Sequence, residues 1–142
     1  LLAGLRARFG TETIERGRDG SARQILAALR RGTALGLLID QDTDVDGVWV
    51  PFFGRLAYTP VGAAKIALKQ NAAVLPTFIE RLSDGSHRAV VQPPLDLPDD
   101  PEPATAVMTL AIEAQVRHRP EQWVWMHRRW KRRPPSPSSS TS

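Results

Sequence analysis

The most unusual stretch of the sequence is Asp40-Gln41-Asp42-Thr43-Asp44-Val45-Asp46-Gly47, with a carboxylate at every second position. Counted from Asp42, it has the first half of a calcium-binding EF-hand loop: oxygens at positions 1, 3 and 5 and glycine at 6. Position 12 of such a loop must be a glutamate that binds through both oxygens; here it is Phe53. Flanks that read as strands rather than helices also argue against a calcium loop at 42–47. A second reading is positional. An apolar run ends at Ile39, and in layered α/β folds ligands gather outside the carboxyl ends of strands. Asp40 and Asp42 at that end are suited to orienting a basic group, binding a substrate hydroxyl or holding an arginine. A plainer reading has Asp40 capping a turn and the other acids solvated.

A second concentration of chemistry lies at the other end of the chain. The formal net charge is +4, yet residues 1–116 hold 12 basic against 14 acidic side chains. Arg117–Arg133 carries seven Lys or Arg and one acid, Glu121, so an anionic partner is expected there. Three of the four tryptophans, Trp123, Trp125 and Trp130, share that segment. Rings beside cations suit a bilayer headgroup layer. They suit base stacking too, but no nucleic-acid recognition motif accompanies the basic patch, so no nucleic-acid partner is expected. The rings are equally compatible with a core and the cations with a solvated face.

The elements that must position these groups follow from periodicity and punctuation. Leu1–Phe9 has helical spacing and Thr11–Glu15 leans to strand. Ser21 reads as the N-cap of a helix at Ala22–Arg31, with Ile25, Leu26 and Leu29 inward and Gly32 at C′. Thr33–Ile39 reads as a strand covered on both faces, and Val48–Phe53 as a second apolar run. Thr59-Pro60 predicts the N-cap and first residue of a helix with Val61, Ala64, Ala67 and Leu68 inward. Ala73–Glu80 and Arg88–Gln92 predict a hairpin through Ser83-Asp84-Gly85. Five prolines in Pro93–Pro103 predict an irregular connector before a helix from Ala104 to His118, stopped by Pro120. Glu121–Trp130 is expected to be helical. Alternation of strands and helices predicts an α/β fold with a mostly parallel sheet flanked by helices. At 142 residues and 42% hydrophobic, the chain suits one domain, expected over 1–133, with 134–142 a disordered Pro/Ser-rich tail. Its longest apolar run, Ala34–Ile39, is far short of the ~18–20 residues a membrane span needs. Leu1–Leu5 is too short for a signal sequence. The absence of cysteine excludes a disulfide, a thiolate nucleophile or a thiolate metal site. A start at Leu1 within a helical pattern is read as a piece of something longer.

Several segments, taken in order, resemble one family. They are Leu29-Arg30-Arg31-Gly32, Leu37-Leu38-Ile39-Asp40-Gln41-Asp42, Val50-Pro51-Phe52-Phe53-Gly54, Thr59, and Ala73-Val74-Leu75-Pro76 with Arg81. Pro120-Glu121-Gln122-Trp123 and Trp125-Met126-His127-Arg128-Arg129-Trp130-Lys131 complete the set. The ordered set, over roughly Arg18–Pro134, is similar to the C-terminal half of the lipid A biosynthesis acyltransferases. These form the lauroyl- and myristoyl-transferring branch of the lysophospholipid acyltransferase superfamily.

That resemblance implies a glycerolipid-acyltransferase-like α/β fold whose N-terminal part is absent. It also implies an enzyme of the cytoplasmic face of the bacterial inner membrane. Such an enzyme moves a fatty acyl chain from an acyl carrier protein or coenzyme A thioester to a glycolipid hydroxyl, with no metal or redox cofactor. The family's general base is the histidine of His-x4-Asp/Glu. Five residues after His87, His118 and His127 stand Gln92, Trp123 and Arg132, so no catalytic residue of that kind is expected in this chain. The base is expected upstream and the chain to be inactive alone. By the same resemblance Asp40 and Asp42 support the catalytic centre. Gln41, Arg81, Arg128, Arg129 and Lys131 meet the acceptor or its phosphates, or those of the membrane. Pro51, Phe52 and Phe53 wall the acyl groove, and Trp123, Trp125 and Trp130 face the membrane surface. His127 is read as structural, and Arg81 has a surface pair with Glu80 as its alternative. A non-catalytic membrane- or anion-binding module is the competing function.

Overall fold

Residues 2–15 and 18–135 are described by the computed structural model, and the chain divides into two units, Leu1–Gly36 and Leu37–Ser142. In the first, helix α1 spans Leu2–Arg8 and helix α2 spans Ser21–Arg30. Gly20, at φ 83°, takes the capping position, so Ser21 is the first helical residue and not the N-cap expected of it. The far end of α2 closes as its sequence predicts. Gly32, at φ 73°, donates to Leu29 O at 2.9 Å, and Thr33 N–H to Ala28 O at 3.0 Å, the two bonds of a Schellman motif. Ala28 is buried and Ile25, Leu26 and Leu29 are half-buried. Thr11–Glu15 forms no strand.

The second unit holds the candidate site. Strands β1 (Gly47–Phe52) and β2 (Arg55–Pro60) pair antiparallel, from Gly47 opposite Pro60 to Phe52 opposite Arg55. Gly47 has a steric reason: a Cβ there would lie 2.6 Å from Thr59 O and 2.8 Å from the Tyr58 ring. Helix α3 (Gly62–Gln70) follows, then β3 (Thr77–Arg81) and β4 (His87–Val91), again antiparallel. Asp84 fixes the turn between them by accepting from Ser86 N–H at 2.9 Å and Oγ at 2.7 Å. Helix α4 (Pro101–His118) packs along β1 and against α3. Ala64 and Ala67 of α3 meet Ala104 and Met108 of α4, with Ile39, Leu68, Val74, Leu95 and Leu97 closing the cluster. Small alanines let the two helices approach, and Thr105 and Thr109 are buried at no polar cost because each hydroxyl donates to a carbonyl one turn back, at 2.7 Å.

Five expectations are corrected. Both sheets are two-stranded antiparallel hairpins, not a mostly parallel sheet. Loops of two and five residues bring partners together locally, so no crossover helix is required. Thr33–Ile39 joins no ladder among the described residues, and Leu38 is 84% exposed. Pro60 ends β2 instead of opening a helix, because Thr59 and Pro60 pair with Val48 and Gly47; Val61 caps α3. Helix α4 starts at Pro101, not Ala104: Asp100 accepts from Glu102 N–H at 3.3 Å, and proline in a first turn removes only donors that lack a helical partner. Glu121–Trp130 is not helical beyond the 3₁₀ turn Pro120–Gln122, and the chain continues in short turns. Of the expected Pro/Ser-rich tail, residues 136–142 lie outside the described residues.

Candidate functional site

The C-terminal segment folds back over the acidic loop and the β1–β2 hairpin, and each contact has a named donor and acceptor. Asp42 is the centre of the loop, its side chain 1% exposed. Its Oδ2 accepts from Arg132 N–H at 2.9 Å, and Oδ1 faces Arg132 Nε at 3.2 Å. Arg132 also reaches Asp44 Oδ1 at 3.0 Å and lies over the Tyr58 ring at 4.3 Å. Asp42 N–H donates to His127 Nε2 at 3.2 Å. That nitrogen therefore serves as an acceptor to the loop backbone.

Arg129 is sealed, at 1% exposure. Its Nη1 donates to Tyr58 O at 2.6 Å, its Nη2 to Thr59 Oγ1, and its plane lies 5.3 Å from the Phe52 ring centre. Burial pulls its pKa below the usual arginine value, while Asp40 and Asp42 nearby act in the opposite direction. The acceptor-phosphate role expected of Arg129 is thus corrected: its guanidinium is spent inside the protein. Phe52, 1% exposed, is the aromatic hub, with Phe53, Trp123 and Trp130 at 4.8, 5.6 and 5.7 Å. Trp123 and Trp130 are accordingly half-buried packing groups, whereas Trp125 remains exposed.

The other expected residues are placed as follows. Asp40 is half-buried and makes no hydrogen bond or ion pair among the described residues; Gln41 is exposed. Pro51 is exposed and Phe53 half-buried. Arg81 is joined to the site through its backbone: its N–H donates to Gln122 Oε1 at 2.8 Å, and its carbonyl accepts from Gln122 Nε2 at 2.9 Å. Its pairing with Glu80 does not form, since neighbours on a strand face opposite sides. Glu80 accepts instead from Arg88 at 2.7 Å and Gln115 at 3.0 Å, and both bonds lower its pKa. Arg128 and Lys131 are exposed and have no acidic partner among the described residues. The three carboxylates a calcium loop would need are ion-paired, Asp42 and Asp44 to Arg132 and Asp46 to Lys65.

Tyr58, Arg132 and Glu113 are members of the site that sequence reasoning missed; Thr59 is named there for the resemblance and as an N-cap, without this role. Phe53 and Gly54, both at positive φ (51° and 72°), make the two-residue turn between β1 and β2. Glycine adopts that conformation freely; an aromatic residue does so at a cost of roughly 1–3 kcal/mol. Glu113 of α4 holds it there, accepting from Phe53 N–H at 2.6 Å, while Arg117 bonds Glu113 at 2.7 Å and stacks 4.6 Å from the Phe53 ring centre. The only signal for this was Glu113 and Arg117 four residues apart, a spacing shared by ordinary surface pairs.

Comparison with known proteins decides what this arrangement belongs to. A family profile described as bacterial lipid A biosynthesis acyltransferase matches residues 1–132. The chain belongs to the bacterial lipid A biosynthesis acyltransferase family. It is 35% identical over 121 residues to the lipid A biosynthesis palmitoleoyltransferase of Escherichia coli (strain K12), covering 82% of this chain and 40% of that protein. It is 32% identical over 123 residues to the lipid A biosynthesis acyltransferase of Haemophilus influenzae, covering 85% of this chain and 38% of that one. Over a shorter stretch, 49 residues, it is 43% identical to the phosphatidylinositol mannoside acyltransferase of Mycobacterium tuberculosis, covering 34% of this chain and 16% of that protein. The chain spans about two fifths of the length of the lipid A biosynthesis relatives it matches.

In this acyltransferase-family chain the acidic loop, the Val50–Gly54 block with Thr59, and the Pro120–Lys131 blocks, far apart in sequence, meet around Asp42, Phe52 and Arg129. Among the described residues no helix is long and apolar enough to cross a membrane. Its stability has a legible pH dependence through Glu113. The Phe53 N–H, then Arg117, hold that carboxyl below the usual glutamate range. A depressed folded-state pKa contributes stability above the unfolded value, about 4.3, and loses it as pH falls through the folded value. Glu113→Gln is therefore expected to be less stable than the parent at neutral pH, with the gap closing below about pH 4. Denaturant titrations of both chains across pH check this; a gap that persists to low pH would remove the assignment.

Proposed function

We propose that residues 1–133 are the C-terminal part of an acyltransferase domain. The whole protein moves a fatty acyl chain from an acyl carrier protein or coenzyme A thioester to a hydroxyl of a lipid A precursor or a related membrane glycolipid. It works at the cytoplasmic face of the bacterial inner membrane. The observation that carries this reading is the family match together with the meeting of three of its separate sequence regions, the acidic loop, the β1–β2 hairpin and the C-terminal segment, in one cluster. The partial similarity to a phosphatidylinositol mannoside acyltransferase supports keeping the acceptor as wide as membrane glycolipids.

In the proposed reaction the acceptor hydroxyl oxygen attacks the thioester carbonyl carbon, an ester forms, and the carbon–sulfur bond breaks. The hydroxyl proton passes to a histidine of a His-x4-Asp/Glu motif outside these residues and on to the departing sulfur. This chain supplies positioning. Asp40, a half-buried carboxylate near Arg129 that makes no hydrogen bond among the described residues, accepts from an acceptor hydroxyl in this reading. Asp42 shapes the loop through Arg132 and His127 and so supports Asp40. Arg81, Arg128 and Lys131 have no ion pair among the described residues and are offered to the acceptor's phosphates in this reading, and Gln41 is exposed beside Asp40. Pro51 and Phe53, at the end of the hairpin above Phe52, form part of the apolar wall for the acyl chain.

In the full-length protein that contains this chain, Asp40→Ala is expected to cut turnover roughly 10–100-fold, the worth of one charge-assisted hydrogen bond, with stability little changed. Steady-state transfer of a labelled acyl group to a lipid A precursor measures it. An unchanged rate would remove Asp40 from the site. Absence of transfer by the parent protein would favour the non-catalytic binding module.

A further inference from the structure

Midway along, the C-terminal segment carries an apolar projection whose side chains stay exposed. Val124, Trp125 and Met126 are 59%, 55% and 91% exposed, in sequence between tryptophans that pack on Phe52. The projection has a rigid base. Trp125 Nε1 donates to Pro120 O at 2.6 Å, its ring meets Trp123 edge-on at 4.8 Å, and His127 N–H returns to Val124 O at 3.1 Å. Gln122 and Arg129, on either side, are anchored to β3 and β2. The structure also sorts the cations of the segment. Arg117 is bound to Glu113, Arg132 to Asp42 and Asp44, and Arg129 is sealed. Arg128, Lys131 and Arg133 are exposed with no acidic partner among the described residues, against one exposed acid, Glu121.

We propose that Val124–Met126 inserts into the headgroup layer of an anionic bilayer while Arg128, Lys131 and Arg133 meet lipid phosphates. Charge complementarity selects an anionic partner. The chemistry of the projection selects a bilayer over a nucleic acid. Valine and the methionine thioether offer a base nothing to stack on, but both gain by leaving water for the acyl boundary, where a tryptophan with its N–H occupied also sits. This contact is carried by an irregular turn, not a spanning helix, so it is peripheral and reversible. It deepens the proposed acyl transfer, on which it rests, by giving the enzyme a hold on the surface that contains its acceptor. Vesicle binding by this chain needs no transfer, so the two readings fail separately.

The test is co-sedimentation of the 142-residue chain with vesicles of phosphatidylcholine alone and with about one third phosphatidylglycerol. Binding is expected to the anionic vesicles only and to weaken with salt. Trp125→Ala with Met126→Ala should lower the partition coefficient about tenfold or more. Arg128→Gln and Lys131→Gln should each lower it about fivefold. All four side chains are exposed, so near-ultraviolet circular dichroism should report retained packing at Phe52. Lipids brominated along their acyl chains should quench fluorescence of the parent but not of Trp125→Phe. Equal binding by parent and double variant would overturn the proposal. So would a concentration-dependent dimer lost in the double variant, or tighter binding to DNA than to anionic vesicles at matched salt.

Discussion

Arg129→Met is expected to lower the unfolding free energy by about 3–5 kcal/mol. Methionine fills much of the volume but leaves two buried acceptors, Tyr58 O and Thr59 Oγ1, without the donors they now have. It also removes the positive charge that Asp40 and Asp42 share. Arg129→Lys keeps the charge, yet one ammonium on a flexible stem cannot reproduce the planar fork that spans both acceptors, so it should recover only part of the loss. Equilibrium urea titrations of the three chains provide the comparison. If methionine costs less than about 1 kcal/mol, Arg129 is not what holds the C-terminal segment down, and a phosphate-binding role returns to it.

Phe52→Ala should cost about 3–5 kcal/mol by a different route, the opening of a cavity beneath three aromatic rings. Phe53, Trp123 and Trp130 lie within 5.7 Å of the Phe52 ring centre, and the Arg129 plane covers it as well. A hub of this kind loses more than its own buried area, because its neighbours lose their partner. Phe52→Leu should cost less than about half as much, since it retains most of the volume. The two variants also separate by tryptophan emission: alanine should move it to the red as Trp123 and Trp130 gain water, and leucine should leave it nearly unchanged. Emission unchanged in Phe52→Ala would mean the tryptophans are held by something other than the hairpin.

Comparison of residue types with their final places explains what the sequence made legible. Short-range features were read well: the Gly32 closure of α2, the Ser83–Gly85 turn, the inward face of α3 at Ala64 and Ala67, and the stop at Pro120. Each is decided within about one turn of chain, where steric rules act directly. The family was legible because its blocks occur in order, though each block is weak alone. What failed depended on distant partners. An apolar run such as Thr33–Ile39 has the composition of a covered strand, but a strand exists only where another backbone pairs with it. Arg128, Arg129 and Arg132 are one residue type within five positions, yet one is exposed, one sealed and one ion-paired. No local property distinguishes them. The helix expected over Glu121–Trp130 yields to the same cause: its side chains are recruited by Phe52, Tyr58, Thr59 and the Asp42 backbone, and a regular helix would not reach all four.

The separations of those contacts carry a consequence for biogenesis. Asp42 takes its partners from positions 85 and 90 residues further along, and Thr59 takes Arg129 from 70 residues further. A ribosome makes the acidic loop and the hairpin long before it makes the segment that completes them. During that interval Phe52 lacks Trp123 and Trp130, and the Asp42 carboxylate lacks Arg132. The order of synthesis thus makes the Trp–Arg segment the closing clasp of the unit: the site matures when translation reaches it, and any nascent chain short of it displays an apolar hairpin to quality control.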